Sequence, residues 1–71
     1  MIVAPATAGV SRHDVKDLTL AAQGYDIPEV AAMTYRQEET VRSLWARARK
    51  ITGAHSTMAA AVTILEEVGQ G

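Results

Sequence analysis

The sequence predicts an all-α domain of four helices. Three observations lead there. Apolar residues recur at three- and four-residue intervals in four stretches, and no stretch carries a strand signal. The stretches are bounded by residues that start or stop helices, with Ser11, Asp26 and Ser56 ahead of them and Gly24 and Gly53 behind. The 71 residues include no Phe and no Cys, so Leu, Val, Ile, Met, Ala and Trp45 must make the core. Alanine lets helices approach closely, which suits a compact helical domain. A chain this short buries only about 60% of its unfolded surface, so one thin core and one domain are expected.

Residues 1–9, with Pro5, Thr7 and Gly9, read as a flexible arm, and residues 10–69 as the domain. Ser11 with Asp14 three residues on resembles a capping box, although Glu or Gln is the usual partner. Val15, Leu18, Ala21 and Ala22 then follow at helical spacing, giving a first helix over 12–23 that Gly24 stops. Asp26 caps the second helix, with Pro28 in its first turn and Glu29 three residues on. That helix covers about 28–34, with Val30, Ala31 and Met33 facing inward. Gln37 opens a third helix over about 37–51, whose buried stripe is Val41, Leu44, Trp45, Ala48 and Ile51. Gly53 ends it. Ser56 caps a fourth helix over about 57–68, with Met58, Ala61, Val62, Leu65 and Val68 inward. Ala60 and Ile64 widen that apolar face beyond the needs of one small core.

Net charge is −1, which taken alone argues against nucleic acid. Its distribution argues the other way. Of seven basic residues, Arg36, Arg42, Arg47, Arg49 and Lys50 fall together, while the acids Asp14, Asp17, Asp26, Glu29, Glu66 and Glu67 lie elsewhere. Local charge makes an electrostatic footprint. The second helix, a tight link, and a third helix rich in cations have the layout of a helix-turn-helix, whose second helix enters the DNA major groove. The N-terminal stretch lacks the basic region and length of a signal peptide, and no run approaches the ~20 apolar residues of a membrane span. A cytoplasmic protein is expected.

Residues 10–62 resemble the DNA-binding domain of LuxR-type regulators, also called GerE-like or NarL/FixJ-type. Val10-Ser11 stands where that family has Leu-Thr, and Asp14 where it has Glu. Ala22-Gln23-Gly24 matches Ala-x-Gly, and Glu29-Val30-Ala31 matches Glu-Ile-Ala. Thr40-Val41-Arg42 matches Thr-Val-Lys/Arg, and Gly53-Ala54-His55-Ser56 matches Gly-Val-x-Ser/Asn. The joint spacing carries the resemblance. Asp17 departs from it by replacing an apolar residue, Leu44 by replacing a common His, and Gln37 by replacing a Ser cap. Thr52 replaces a Leu and Thr57 an Arg.

The resemblance implies that the third helix reads DNA and the fourth mediates dimerisation. Base contacts then fall on Arg42, Ser43 and Ala46, with Glu39 close by. Backbone contacts fall near Thr40, Arg47 and Lys50. Family members carry a receiver or ligand-binding domain ahead of this one. This chain has a short arm there, and looks like a free-standing effector domain or a piece of a longer protein, Met1 favouring the former.

Each candidate has a plainer alternative. Arg42 can donate two hydrogen bonds to guanine, worth about 1–3 kcal/mol of discrimination, or can be a solvated surface residue. Readout is preferred, because Arg42 lies opposite Leu44 and Ala48. Arg47, Arg49 and Lys50 can neutralise phosphates, or offset the dipole at a helix C-terminus by about 0.3–1 kcal/mol. Glu38 suits a helix N-terminus, and Glu39 can also accept from cytosine N4. Trp45 belongs to the core. Tyr35 either reaches a phosphate or packs over the inter-helix turn. His13 and His55 lack ligand spacing, so neither a metal nor another cofactor is expected. No nucleophile and base can be placed together, so an enzyme is not expected.

The expected function is sequence-specific transcription regulation on double-stranded DNA, with RNA polymerase a further partner. A homodimer is expected from the fourth helix, through Ala60 and Ile64, and from the need for two half-sites. The alternative is an interaction module of helix-turn-helix shape, binding RNA polymerase or another regulator of this type as a decoy or anti-regulator.

Overall fold

The computed structural model describes residues 10–70; the arm expected over residues 1–9 lies outside them. The described residues form four helices and no strand, an all-α four-helix domain. Helix α1 spans Arg12–Ala22, α2 Ile27–Thr34, α3 Glu38–Thr52 and α4 Thr57–Gln70.

Hydrogen bonds mark the starts of α1, α2 and α4, whereas the Gln37 and Asp26 side chains make no capping bond. The Ser11 hydroxyl accepts from the Asp14 amide at 3.1 Å, and Asp14 Oδ2 accepts from the Ser11 amide at 3.2 Å. This reciprocal box satisfies donors that a helix start leaves unpaired. At α2, Glu29 Oε1 accepts from the Asp26 amide at 3.0 Å. At α4, the Ser56 hydroxyl accepts from the Ala59 amide at 3.1 Å. Gly53 ends α3 in the left-handed region at φ 72°, its amide bonded to the Arg49 carbonyl at 2.8 Å. That conformation costs glycine little, and any β-carbon more.

The core draws on every helix. Leu18 and Ala21 come from α1, and Val30 and Ala31 from α2. Val41, Leu44, Trp45 and Ala48 come from α3, and Ala60, Ala61 and Ile64 from α4. Fully burying a Leu, Val or Ile contributes about 1.5–3 kcal/mol, so Leu18, Val30, Val41 and Ile64 supply a large part of the apolar stabilisation beside Leu44 and Trp45. Helix α4 packs against both α1 and α3, and α2 lies against α1 and α3.

Some inward assignments change. Met33 and Ile51 are exposed, and Thr34 is buried in the place Met33 was expected to take. Thr34 tolerates this because its hydroxyl donates to the Val30 carbonyl at 2.7 Å. The larger correction concerns α4. Ala60 is 0% and Ile64 1% exposed, whereas Met58, Val62 and Val68 face solvent and Leu65 is half-buried. Ala60 and Ile64 are therefore core residues and form no spare face for dimerisation. The physical reason is the double packing of α4. A helix lodged against two neighbours buries a wide arc, and its smallest side chains sit at the closest approach.

Candidate nucleic-acid interface

The link between α2 and α3 sets the position of the cationic helix. Tyr35 ends α2 in the left-handed region at φ 56° and ψ 38°. The chain reverses there, and the Arg36 amide bonds back to the Ala31 carbonyl at 2.9 Å. For a residue with a β-carbon this conformation costs roughly 1–2 kcal/mol. The Tyr35 ring is 95% exposed, so it does not pack over the turn. From α1, His13 Nε2 donates to the Thr34 carbonyl at 2.8 Å and ties down the end of α2. Gln37 then caps α3 through its backbone alone, with no hydrogen bond from its side chain.

Helix α3 has two faces. Val41, Leu44, Trp45 and Ala48 point into the core. Glu39, Thr40, Arg42, Ser43, Ala46, Arg47 and Lys50 are all exposed. Their spacing of three, four and seven residues places them on one side of the helix. The structure thus brings all the candidate DNA-contacting residues onto one solvent-facing surface.

The charges on that surface are partly committed. Arg42 Nη1 donates to Glu39 Oε2 at 3.1 Å, with both side chains exposed. Arg47 Nη2 stands 3.7 Å from Asp14 Oδ2. Two other cations of the basic cluster turn away. Arg49 Nη1 donates to the Thr57 hydroxyl at 2.7 Å, tying α3 to α4. Arg36 is mostly buried, donating to Asp14 Oδ1 at 2.8 Å and standing 3.6 Å from Asp17 Oδ2. Arg42, Arg47 and Lys50 remain on the exposed face as its positive charge.

A buried acid stands behind this arrangement. Asp17 is 0% exposed, and its Oδ1 accepts from Trp45 Nε1 at 2.8 Å. Its Oδ2 makes no hydrogen bond and faces Arg36. The signal was available: Asp17 falls on the same arc of α1 as Leu18 and Ala21, and a buried carboxylate demands partners. Burial pushes the Asp17 carboxyl above its ordinary range, against the pull of the Trp45 indole and of Arg36, with Asp14 adding to the rise. Asp14 behaves oppositely. Burial works against its charge, but the Arg36 hydrogen bond, the Ser11 amide and the Arg36 charge together hold it below the ordinary value.

Among the described residues no cluster of three His, Cys, Asp or Glu side chains could hold a metal ion. No described helix is long and apolar enough to cross a membrane. Compared with known proteins, the chain matches no family model, no curated protein sequence and no solved structure.

Proposed function

We propose that this chain is a sequence-specific DNA-binding transcription regulator of LuxR type, with α3 as its recognition helix. One observation carries the reading. Seven residues chosen for DNA contact are exposed together on the side of α3 opposite the core. In this reading Arg42 reads a base edge, Glu39, Ser43 and Ala46 shape the fit beside it, and Thr40, Arg47 and Lys50 approach the backbone. The protein works in the cytoplasm without a cofactor, and contact with RNA polymerase follows from the regulatory role.

Two half-sites require two copies. With Ala60 and Ile64 in the core, the α4 residues open to a second copy include Met58 and Val62, one helical turn apart and both exposed.

The test is titration of the chain against random-sequence duplex DNA by fluorescence anisotropy at low and high salt. Phosphate-dominated binding weakens steeply as salt rises. Binding that ignores salt, or no binding at low salt, moves the reading to an interaction module. A specific observation favours that second reading. Acids occupy the first turns of the two helices that would face DNA, Glu29 on α2 and Glu38 and Glu39 on α3.

A further inference from the structure

An open groove of about 540 Å³ runs between the start of α1 and the exposed side of α3. Asp14, Arg36, Thr40, Ser43, Leu44 and Arg47 line it. The Arg47 guanidinium and two hydroxyls, with the buried Arg36 charge behind them, are donors of the kind that hold a tetrahedral oxyanion. The groove already contains an anion. The Asp14 carboxylate gives one oxygen to Arg36 at 2.8 Å and turns the other toward Arg47 at 3.7 Å.

The two contacts are unequal. Arg36 is largely buried, and the same acid that pairs with it also closes the α1 capping box, so that bond belongs to the fold. Arg47 is more than half exposed, and 3.7 Å is too long for a good hydrogen bond. Its pairing with Asp14 is long and exposed on the arginine side, so Arg47 can leave it at little cost.

We infer that this groove is a phosphate seat, and that Asp14 is a built-in competitor for Arg47 that keeps occupancy of the seat weak. The inference rests on the proposed DNA-binding reading for the source of the phosphate, but not for the seat itself. An incoming phosphate takes Arg47 from Asp14 and gains the Thr40 and Ser43 hydroxyls at the groove wall. It must do so beside a carboxylate that α1 cannot withdraw without losing its cap. Asp14 thereby lowers affinity for any phosphate, whatever base is attached, so base contacts made by Arg42 carry a larger share of discrimination.

Asp14→Asn keeps an oxygen for the Ser11 amide and removes the competing charge, while giving up the Arg36 pair. Amide NMR shifts of Thr40, Ser43 and Arg47 report the seat directly, with inorganic phosphate and random-sequence duplex as separate probes. Inorganic phosphate is expected to shift these resonances saturably, and Asp14→Asn to tighten it about fivefold, as removal of one charge about 4 Å away does in water. The gain disappears in Asp14→Asn combined with Arg47→Gln. With duplex, Asp14→Asn steepens the dependence of log K on log salt by about 0.9, one further phosphate neutralised. Arg47→Gln alone changes only an exposed side chain and keeps the test valid if Asp14→Asn disturbs the fold; it must abolish the phosphate shifts. No saturable shift by phosphate, or a gain that survives Arg47→Gln, overturns the seat. Shifts with phosphate but not with duplex leave the seat standing for a free anion and sink the DNA reading.

Discussion

Trp45 Nε1 donates a 2.8 Å hydrogen bond to Oδ1 of Asp17, joining the middle of α3 to the middle of α1 inside the core. The bond orients the single indole of the chain and gives a buried carboxylate its closest neutral partner. Removing the acceptor leaves the indole N–H and part of the Arg36 charge unsatisfied. Asp17→Ala is expected to cost about 1–3 kcal/mol, and Asp17→Asn, which can still accept from the indole, much less. Urea unfolding followed by Trp45 fluorescence measures both. Equal losses for the two variants would show that the hydrogen bond does not matter.

The same acid makes a signed prediction about pH. A carboxyl whose pKa is raised in the fold binds protons more tightly there than in the unfolded chain. Its contribution therefore favours folding at low pH and is lost as pH rises from the ordinary value of 3.8 through the folded value. Asp14, held low, contributes stability above the ordinary value that is lost as pH falls through its folded value. Subtracting the stability of Asp17→Asn from that of the native chain isolates the first effect. The difference should move against the native chain as pH rises above 3.8 and then level off. A difference that is flat, or that moves in favour of the native chain, would contradict the burial cost.

Arg42→Ala should leave the melting curve nearly unchanged, because its partner Glu39 is exposed and such a pair contributes at most about 1 kcal/mol. Under the DNA-binding reading it should cost about 1–3 kcal/mol of discrimination at one base pair, measured by competition between a selected site and its point variants. Undiminished discrimination would remove Arg42 from the reading set.

Tyr35 sits in a left-handed conformation that asparagine adopts more easily, and its exposed ring contributes no packing. Tyr35→Asn is expected to stabilise the domain by up to about 1 kcal/mol, read as a higher melting temperature. If the phenol also touches a phosphate, the stabilised variant binds duplex more weakly. A destabilised variant would mean that the ring makes contacts the fold needs.

The two sides of α4 should respond differently. Ile64→Ala empties a fully buried site and should cost about 2–5 kcal/mol, enough to unfold a marginal domain. Val62→Glu changes an exposed position and should preserve folding while driving a dimer to monomer, as sedimentation would record. A native chain that sediments as a monomer at all concentrations would remove α4 as a dimer surface.

Local signals carried most of the fold. Caps and breakers act within three or four residues, so Ser11, Asp26, Ser56 and Gly53 announce their helices without knowledge of the rest. Helix α3 was readable through Val41, Leu44, Trp45 and Ala48 on one side and Arg42, Arg47 and Lys50 on the other, though not at Ile51 or Arg49. Facing on α4 was not. Met58, Ala60, Ala61, Val62, Ile64 and Leu65 are apolar nearly all round, and only the placement of α1 and α3 decides which arc is covered. The Asp17–Arg36–Trp45 cluster was legible only at Asp17, by its place on the apolar arc of α1. Its partners Arg36 and Trp45 are far away in sequence, and each has an ordinary local explanation until the helices are packed. That packing also withdraws Arg36 and Arg49 from the surface, a loss that counting cations cannot reveal.

One helix thus carries two separate vocabularies, since none of the seven outward residues of α3 is buried and none of the four inward ones is exposed. Inheritance can act on them independently. Mutations at positions 39, 42, 43 or 46 alter what the surface presents without disturbing the packing beneath. Positions 41, 44, 45 and 48 have no such freedom. Variation within α3 should concentrate on its exposed side.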